Sequence, residues 1–592
     1  MQWHTPHPPL REAMLELWMR LGKWREQNFP GNRKVRVKIT PNQALSAYTH
    51  YRDELHIAVN DADPFPIHPS TAELDISAPT TPPPVGRRIT MVVPVVAGDK
   101  RWESIGLTAS DLILGSALAR SGYRVSHIHP RFPPGPPQHV LEQSDILGVS
   151  LYEDLLPVLR AWGQSAGKKL PAWVAVGGPM VTLNPLPAVA HFPPGNLWVR
   201  GDGEEVFPQI LNALASGQFV NLKNLGGVLL TKPNLLMAWN FASVNRPPLP
   251  VEADFDFSFI APQAWRKGIE INLSRGCERI CVFCSRVQGN NVRRMPQTVV
   301  SRMLEKIRDA MPPRTGGKYA GVLNINDDDI LQDANYAAGV FQIIHRAGFR
   351  LWGVQTSLAS VLDNGNPRKE VIDLLSQRRY FANGPLIWFG TDAFLPRRGK
   401  LFCKQVPSAT QMEQLFSLLQ VHDIRHHHYW ILSDHISGWL ELAEELGLVT
   451  RWWREFSNFH ILPHSPFLIP YPSTPLFSWV SQPSFKRQIR FRQWLKSSVP
   501  CLNYPLVDRV ESGFEMLNNM LRGQADGLHP PLLQSLCKRD SVAALETAHY
   551  FLRRELLCLD NTSGLGGLAL KSLLLAQKKL EAVILENRAG IN

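Results

Sequence analysis

The sequence predicts an α/β fold with an N-terminal doubly wound parallel sheet, a partial (β/α)6 barrel and a helical C-terminal domain. Three observations support this prediction. Short apolar runs alternate with amphipathic helical stretches through residues 86–225, and again through 263–480. Glycine-containing turns follow several of these runs. Beyond residue 481 the strand-like runs stop, and apolar residues recur at helical spacing.

At 592 residues the chain is too long for one hydrophobic core, and several domains are expected. The changes in pattern divide it into an N-terminal extension that caps the next domain, a doubly wound domain, a proline-containing linker, the barrel and the helical domain. Their predicted bounds are 1–85, 86–225, 226–262, 263–480 and 481–592.

Composition narrows the class of protein. Apolar residues make up 44% and charged residues 19%, which is typical of a globular protein. No apolar run approaches the roughly 20 residues of a membrane span, so none is expected. The first residues do not resemble a signal peptide, and a cytoplasmic location is expected.

The net charge of +12 is compatible with nucleic acid, an acidic substrate or simply a basic surface. Lysine and arginine are spread along the chain rather than collected into blocks. Nucleic acid is therefore not the expected partner.

Three of the seven cysteines lie close together, as Cys277, Cys281 and Cys284, just after the strand-like run Ile269–Leu273. A loop leaving a strand lets each sulfur turn toward one inorganic centre. A [4Fe-4S] cluster held by three cysteines keeps one iron open, whereas a structural zinc site requires four ligands and the next cysteine is Cys403. The alternative is three unrelated thiols. The clustering argues against a disulfide scaffold.

This spacing resembles the radical S-adenosylmethionine (SAM) superfamily, whose pattern places an aromatic residue just before the last cysteine, as Phe283 is here. The resemblance implies an enzyme whose open iron chelates SAM. It also implies that electron transfer from the cluster releases a 5′-deoxyadenosyl radical.

The resemblance further implies SAM contacts at the carboxyl ends of the barrel strands, where ligands of such folds bind. The acidic run after Asn324 has two other interpretations, a metal site or a helix N-cap. Beside Phe283, the predicted SAM-binding residues are Asn324, Asn326, Asp327, Asp328, Gln355, Gly390 and Asp392.

The strand ends of residues 86–225 resemble the cobalamin-binding domain that precedes the cluster domain in one large radical SAM class. Small residues there would let the backbone approach a bulky corrin. Glycine turns are also common in any parallel sheet, which is the alternative. The predicted contacts are Ser150, Gly177, Gly178, Pro179, Thr182, Gly201, Gly203 and Glu204.

One loop departs from the cobalt-ligating pattern. Cobalamin domains that ligate cobalt carry Asp-x-His-x-x-Gly after the first strand, whereas here the loop Asp99–Ser104 contains no histidine. Any bound cobalt would lack a lower imidazole ligand, and Arg101 or Trp102 is predicted to lie under the corrin. The alternative is a solvent-facing loop.

Other chemically suggestive residues are interpreted as structural. His426, His427 and His428 alternate faces on a predicted strand, so they cannot all reach one metal ion. The run Tyr471–Pro475 resembles a Tyr-Pro-x-Thr-Pro turn of the same enzyme class. The dispersed cysteines are expected to be mostly buried; they are Cys403, Cys501, Cys537 and Cys558.

Together these resemblances imply a cobalamin-dependent radical SAM enzyme. The leading expectation is a methyltransferase acting on a weakly activated carbon or phosphorus centre of a natural-product or peptide substrate, with a flavodoxin or ferredoxin as electron donor. The expected cofactors are a [4Fe-4S] cluster, SAM and cobalamin. The alternatives are a rearrangement, cyclisation or oxidation without methyl transfer, and a non-catalytic iron–sulfur scaffold.

Overall fold

The computed structural model describes residues 87–92, 95–96, 105–128, 131–132, 138–151, 170–183, 195–216, 227–232, 235–239, 244, 246–250, 254–312, 319–432, 434, 438–462, 468, 471, 474–476, 532, 534–536, 538–559 and 567–589. The predicted N-terminal extension lies outside these residues. So does Asp508–Arg522, the first helix that the sequence predicts beyond residue 481. In their described parts, the contacts divide the chain into two units. The first is Met1–Ile271, Ser285–Gly289 and Arg293–Gly321, and the second is Asn272–Cys284, Asn290–Val292 and Val322–Asn592.

The strands, in chain order, are β1 (Arg88–Val92), β2 (Val95–Val96), β3 (Ile105–Leu107), β4 (Arg124–Ile128), β5 (Arg131–Phe132), β6 (Ile146–Ser150), β7 (Trp173–Gly177), β8 (Leu197–Val199), β9 (Val228–Lys232), β10 (Leu235–Trp239), β11 (Gly268–Ile271), β12 (Ser274–Arg275), β13 (Arg293–Arg294), β14 (Val322–Ile325), β15 (Arg350–Leu351), β16 (Val354–Ser357), β17 (Leu362–Asp363), β18 (Asn366–Pro367), β19 (Leu386–Asp392), β20 (Arg425–Trp430) and β21 (Phe459–Leu462).

The helices, in chain order, are α1 (Ala109–Arg120), α2 (Gln138–Glu142), α3 (Pro179–Leu183), α4 (Val206–Ser216), α5 (Gln297–Ala310), α6 (Ala334–Arg346), α7 (Leu358–Val361), α8 (Lys369–Leu375), α9 (Pro396–Leu401), α10 (Ala409–Val421), α11 (Trp439–Glu455), α12 (Ser541–Leu559) and α13 (Gly567–Ala589). No helix in the described ranges combines the length and the apolar composition needed to cross a bilayer.

The first unit is built on a seven-stranded sheet with the strand order β10-β9-β8-β7-β6-β1-β4. The strands from β8 to β4 pair in parallel, as the sequence predicts. The apolar composition of β6, β7 and β8 follows from burial on both faces, which is usual in parallel sheets. The core of this unit includes Ile89, Ile146, Trp173, Leu197 and Ile210. The doubly wound domain is thus confirmed as a parallel α/β sheet.

The structure differs from the prediction at the linker 226–262, because β9 and β10 lie within it. These two strands add to the sheet in antiparallel orientation. Each is an apolar run, and only Pro233 and Asn234 separate them in the sequence. So short a connection can join antiparallel neighbours but not parallel ones. The proline run from Pro247 to Pro250, which suggested a linker, begins only after both strands.

The second unit contains a parallel sheet with the order β16-β19-β20-β21. Helices α10 and α11 cover one face, where Phe416 and Trp452 pack against each other and against Phe459 of β21. β14 and β15 pair in parallel within this unit. Closure of the strands into a partial (β/α)6 barrel stays a prediction.

The strands predicted from the sequence in the barrel region are Ile269–Leu273, Val322–Ile325, Leu351–Gln355, Leu386–Gly390, His428–Leu432 and Phe459–Leu462. Most of them match the structure, and β14 and β21 match to the residue. The predicted strand Leu351–Gln355 is instead divided between β15 and β16. Gly353 lies at this break, where a Cβ atom would stand 2.5 Å from the ring of Trp388. Close packing of that ring on the backbone leaves no room for a side chain at this position.

Candidate metal centre

The cysteine loop, residues 276–284, follows β11 and β12 in the chain. Cys281 is buried, Cys277 is half-buried and Cys284 is exposed. These three residues and Cys403, the four cysteines whose side chains are described, are thiols rather than disulfide partners. In the described part of the chain, no three His, Cys, Asp or Glu side chains are gathered closely enough to hold a metal ion.

Two carboxylates after β14 hold the backbone that leads into this loop. Asp327 is buried and accepts hydrogen bonds from the N–H of Leu273 (2.8 Å) and from both the N–H and the hydroxyl of Ser274 (2.7 Å each). Asp328 accepts one from the N–H of Gly276 (2.9 Å). Gly276 has φ of +100°, a conformation that favours glycine. The acidic run therefore fixes the entry to the cysteine loop.

Asp329 links the middle of the loop to the end of β16. Its carboxylate accepts hydrogen bonds from three hydroxyls, those of Thr356 (2.6 Å), Ser357 (2.9 Å) and Ser360 (2.7 Å). Arg279, which lies between the first two cysteines, approaches the same carboxylate at 3.4 Å and donates to the hydroxyl of Ser360 at 2.7 Å. One buried carboxylate therefore joins the cysteine loop to β16 and α7.

The second half of the loop is held by two other segments. The N–H of Val282 donates to the carbonyl of Phe402 (3.1 Å), and the carbonyl of Val282 accepts from the N–H of Leu476 (3.0 Å). The rings of Phe283 and Phe402 meet edge to face at 5.5 Å. Leu476 directly follows the predicted turn Tyr471–Pro475, within which Thr474 donates its hydroxyl to the carbonyl of Tyr471 (2.5 Å).

Burial dominates the electrostatics of the thiols. It raises the pKa of Cys277 and that of Cys281, while the nearby Lys404 acts in the opposite direction on Cys281. Burial also raises the pKa of Asp327 to about 7, against the hydrogen bonds from Ser274 and Leu273. The two thiols therefore hold their protons more firmly than free cysteines, and any metal that binds them must displace those protons.

The predicted SAM residues fall into two groups. Asn326 and Asp328 are exposed just after β14, Gln355 is exposed on β16, and Gly390 and Asp392 are half-buried on β19. Their contact with SAM stays a prediction.

The other predicted SAM residues are half-buried or buried and contact neighbouring parts of the chain. Asn324 is half-buried on β14, and Phe283 packs on Phe402. Both oxygens of Asp327 accept hydrogen bonds from the chain before the cysteine loop. The structure thus gives Asp327 a bracing position, and Asp328 braces Gly276 while remaining exposed.

The three consecutive histidines of β20 alternate faces, which confirms the interpretation of the sequence. His426 and His428 are buried among aromatic rings, with Nδ1 of the first 2.8 Å from Nε2 of the second. Burial lowers the pKa of His426 to about 3 and that of His428 well below its usual value. Both are therefore neutral at physiological pH.

The opposite face of this sheet carries a lateral row of half-buried and exposed side chains. The strand registers align Gln355 with Trp388, Trp388 with His427, and His427 with His460. The two imidazole rings lie 4.9 Å apart. This row lies two residues before Ser357, Gly390, Tyr429 and Leu462, the row nearest the strand ends.

In the first unit, the predicted cobalamin residues collect at the carboxyl ends of β6, β7 and β8. Gly178 has φ of +95°, and a Cβ atom there would stand 2.7 Å from backbone atoms of Leu151. Thr182 is buried; its hydroxyl donates to the carbonyl of Gly178 and accepts from the N–H of Gly201, both at 2.9 Å. This hydroxyl therefore braces two strand ends.

The remaining predicted cobalamin residues surround these. Ser150 pairs with Gly177 in register, and Pro179 begins α3. Gly203 and Glu204 follow β8 and are half-buried. Arg101 and Trp102 lie outside the described residues. The contacts of all these residues with a corrin stay a prediction.

We compared the chain with known proteins. No protein-family model matches the chain. Over 140 residues it is 29% identical to an uncharacterized methyltransferase of Pyrococcus horikoshii, covering 21% of this chain. The match spans only 28% of that protein's own length.

Solved structures match much more of the chain. The cobalamin-dependent SAM radical enzyme OxsB with aqua-cobalamin bound has a TM-score of 0.52 and 13% identity, over 96% of this chain and 99% of that one. The radical SAM methyltransferase TsrM from Kitasatospora setae, with tryptophan substrate and a SAM analog bound, has a TM-score of 0.51 and 15% identity, over 69% and 77%. The chain has the fold of the cobalamin-dependent radical SAM enzymes. The resemblance predicted from the sequence is confirmed at this level.

The cysteine loop fits the cluster that the radical SAM fold implies. A single zinc ion would need four donors at about 2.0–2.3 Å. The loop offers three thiols, a number that would suit a [4Fe-4S] cluster with one open iron better than a closed zinc site.

Several residues of this site were missed by sequence reasoning. Arg279, Asp329 and Ser360 connect the loop to β16, and Lys404 pairs with Asp392. Asp329 was visible as the end of the acidic run, but no spacing in the sequence links Lys404 to the cysteines 120 residues before it. Cys403 is exposed and so is an exception to the expected burial; the side chains of Cys501, Cys537 and Cys558 are not described.

Proposed function

We propose that this chain is a cobalamin-dependent radical SAM enzyme, and specifically a methyltransferase acting on a weakly activated carbon or phosphorus centre of a natural-product or peptide substrate. The observation that carries the proposal is the cysteine loop braced on both sides within a fold of this class. Asp327 holds its entry, Asp329 its middle, and Phe402 with Leu476 its second half.

In this proposal Cys277, Cys281 and Cys284 hold a [4Fe-4S] cluster. When bound, the cluster supplies one electron and an open iron for SAM. The loop backbone is fixed by hydrogen bonds that do not depend on the cluster, so the ligands are positioned before it is loaded. Asn326 and Asp328 offer oxygen acceptors for the ammonium of SAM.

Gly390, near the end of β19, is a second proposed contact with SAM or the substrate. Its lack of a side chain lets a ribose or a substrate approach the backbone. The row from Gln355 to His460 on the open face of the sheet offers aromatic and hydrogen-bonding groups for the substrate. Its position two residues below Gly390 places it beneath the strand ends, where ligands of such folds bind.

The ends of β6, β7 and β8 are the proposed cobalamin surface. Gly177, Gly178 and Gly201 keep side chains away from these ends, while Thr182 braces them from within. A flat, large ligand can therefore contact the backbone directly. Likeness to OxsB with aqua-cobalamin bound supports this assignment.

Methyl transfer is favoured by the partial match to a protein named a methyltransferase and by the likeness to TsrM. Radical chemistry without methyl transfer is the second candidate. It is favoured by the coverage of OxsB, which is described as a radical enzyme and matches 96% of this chain. A flavodoxin or ferredoxin in the cytoplasm is the proposed source of electrons.

The test uses the full chain, expressed with added cobalamin, reconstituted anaerobically and reduced with dithionite. SAM carrying a labelled methyl group is added with extracts of small molecules and peptides, and products are followed by mass spectrometry. We expect bound cobalamin, 5′-deoxyadenosine and transfer of the label, with none of the radical product from the matched C281A variant. 5′-Deoxyadenosine without label transfer would favour the second candidate. If wild type forms no more 5′-deoxyadenosine than C281A does, the chain is a non-catalytic iron–sulfur scaffold.

A further inference from the structure

A buried ion pair lies beside the cysteine loop. Lys404 donates to the carboxylate of Asp392, the last residue of β19. The two side chains are only 10% and 13% exposed. A Cβ atom on Gly390 would stand 3.3 Å from the Lys404 ammonium, so the lysine side chain reaches back over the end of β19. The pair is therefore fixed in place and largely withdrawn from water.

The segment that carries Lys404 is attached directly to the cysteine loop. Phe402 accepts a hydrogen bond from Val282 through its carbonyl and packs its ring on Phe283. The position of Lys404 follows from these contacts, which lie on the stretch between Cys281 and Cys284.

The charges of the pair reach the thiols. Lys404 acts to lower the pKa of Cys281, and Asp392 acts to raise it. Burial acts to lower the pKa of Lys404, but Asp392, Cys281 and Cys284 together raise it. The charged form of Lys404 is thus favoured, on a segment that contacts the cysteine loop between Cys281 and Cys284.

Fixed charges in a partly desolvated site act strongly on a neighbouring redox centre, because the local dielectric is low. The reduction potential of an iron–sulfur cluster depends on net charge and on its surroundings. We propose that the Lys404–Asp392 pair sets the reduction potential of the cluster held by the cysteine loop, with Lys404 raising the potential and Asp392 lowering it. This inference rests on the proposed function, since it requires the cluster.

The electron balance is simple. A low-potential one-electron reductant loses one electron and the cluster gains it, without breaking a covalent bond. The reduced cluster carries one more negative charge, which the ammonium of Lys404 stabilises and the carboxylate of Asp392 destabilises. Lys404 and Asp392 thus act on the cluster through their charges and do not take part in a reaction themselves.

The experiment compares four forms of the full chain, each reconstituted anaerobically without SAM: wild type, K404M, D392N and the double variant. Each is titrated with dithionite against redox mediators, and the reduced cluster is quantified by electron paramagnetic resonance. At a fixed solution potential, we expect the reduced-to-oxidised ratio to fall about tenfold in K404M and to rise in D392N. For one electron a tenfold change corresponds to 59 mV. The double variant removes both charges and should lie between the two single variants.

K400M is the matched control, because Lys400 lies on the same segment but is exposed. Its potential should equal that of wild type. Iron content is measured throughout. If K404M fails to hold a cluster, D392N still tests the sign, because its potential should rise above that of wild type. K404R keeps the charge and should match wild type.

Reduction potentials that shift in opposite directions in K404M and D392N support the proposal. Loss of packing alone would not make the direction of the shift depend on whether a positive or a negative charge was removed. Equal potentials in all forms that hold a cluster, or shifts in the same direction, would overturn it while leaving the proposed function intact. A wild-type protein that holds no cluster would overturn both.

Discussion

Replacing Asp329 by asparagine tests the connection between the cysteine loop and β16. The side chain of Asp329 is 2% exposed and accepts hydrogen bonds from three hydroxyls. Asparagine keeps the size but loses the charge that faces Arg279, and it places an amide N–H₂ where one oxygen accepts. Charge-assisted hydrogen bonds contribute about 1.5–3 kcal/mol each. The loss of one or two of them predicts a decrease of about 2–4 kcal/mol in the free energy of unfolding.

The assay is urea unfolding of the apoprotein, combined with iron content after anaerobic reconstitution. We expect D329N to unfold at lower urea and to retain less iron, because Arg279 lies within the cysteine loop. The matched control is E370Q, in which an exposed carboxylate loses its ion pair with Arg368; such pairs contribute about 0–1 kcal/mol. A D329N protein with the stability and iron content of E370Q would refute the proposed brace.

Three further predictions concern other parts of the chain. Burial raises the pKa of Asp327 to about 7 from 3.8, so between these values the folded state binds a proton that the unfolded state releases. The free energy of unfolding should therefore fall as the pH rises from about 4 to 7. D327N should flatten this dependence in urea titrations, and an unchanged slope would contradict the prediction. R398M should lower the free energy of unfolding by about 3–5 kcal/mol, because it leaves the carboxylates of Glu445 and Asp434 buried without their cation. A loss below about 1 kcal/mol in urea unfolding would show that these two ion pairs do not stabilise the fold. G178A should cost roughly 1–3 kcal/mol, because its φ is +95° and its new Cβ would meet Leu151 at 2.7 Å, and a melting temperature equal to wild type would exclude this strain.

The elements that sequence reasoning predicted well are those determined by local pattern. β14 and β21 are apolar runs with a buried face, and their bounds match the prediction. The alternation of His426, His427 and His428 follows from the period of a strand. The three cysteines were recognisable because their ligand chemistry depends on spacing alone.

What the sequence did not predict depends on contacts between distant residues. The predicted linker 226–262 contains proline, and this composition concealed the strands β9 and β10 that lie within it. The SAM contact of Asp327 stays a prediction, whereas its hydrogen bonds from Leu273 and Ser274 were not predicted. The place of Lys404 follows from the packing of Phe402 on the cysteine loop, which no local pattern encodes.

The most direct test of the account is the electron paramagnetic resonance spectrum of the reduced, anaerobically reconstituted full chain, recorded with and without SAM. A variant in which Cys277, Cys281 and Cys284 are all replaced by alanine is the reference. We predict a [4Fe-4S] signal that changes when SAM is added and that is absent from the variant. Zinc in place of iron, equal iron in the variant, or a signal indifferent to SAM would contradict it.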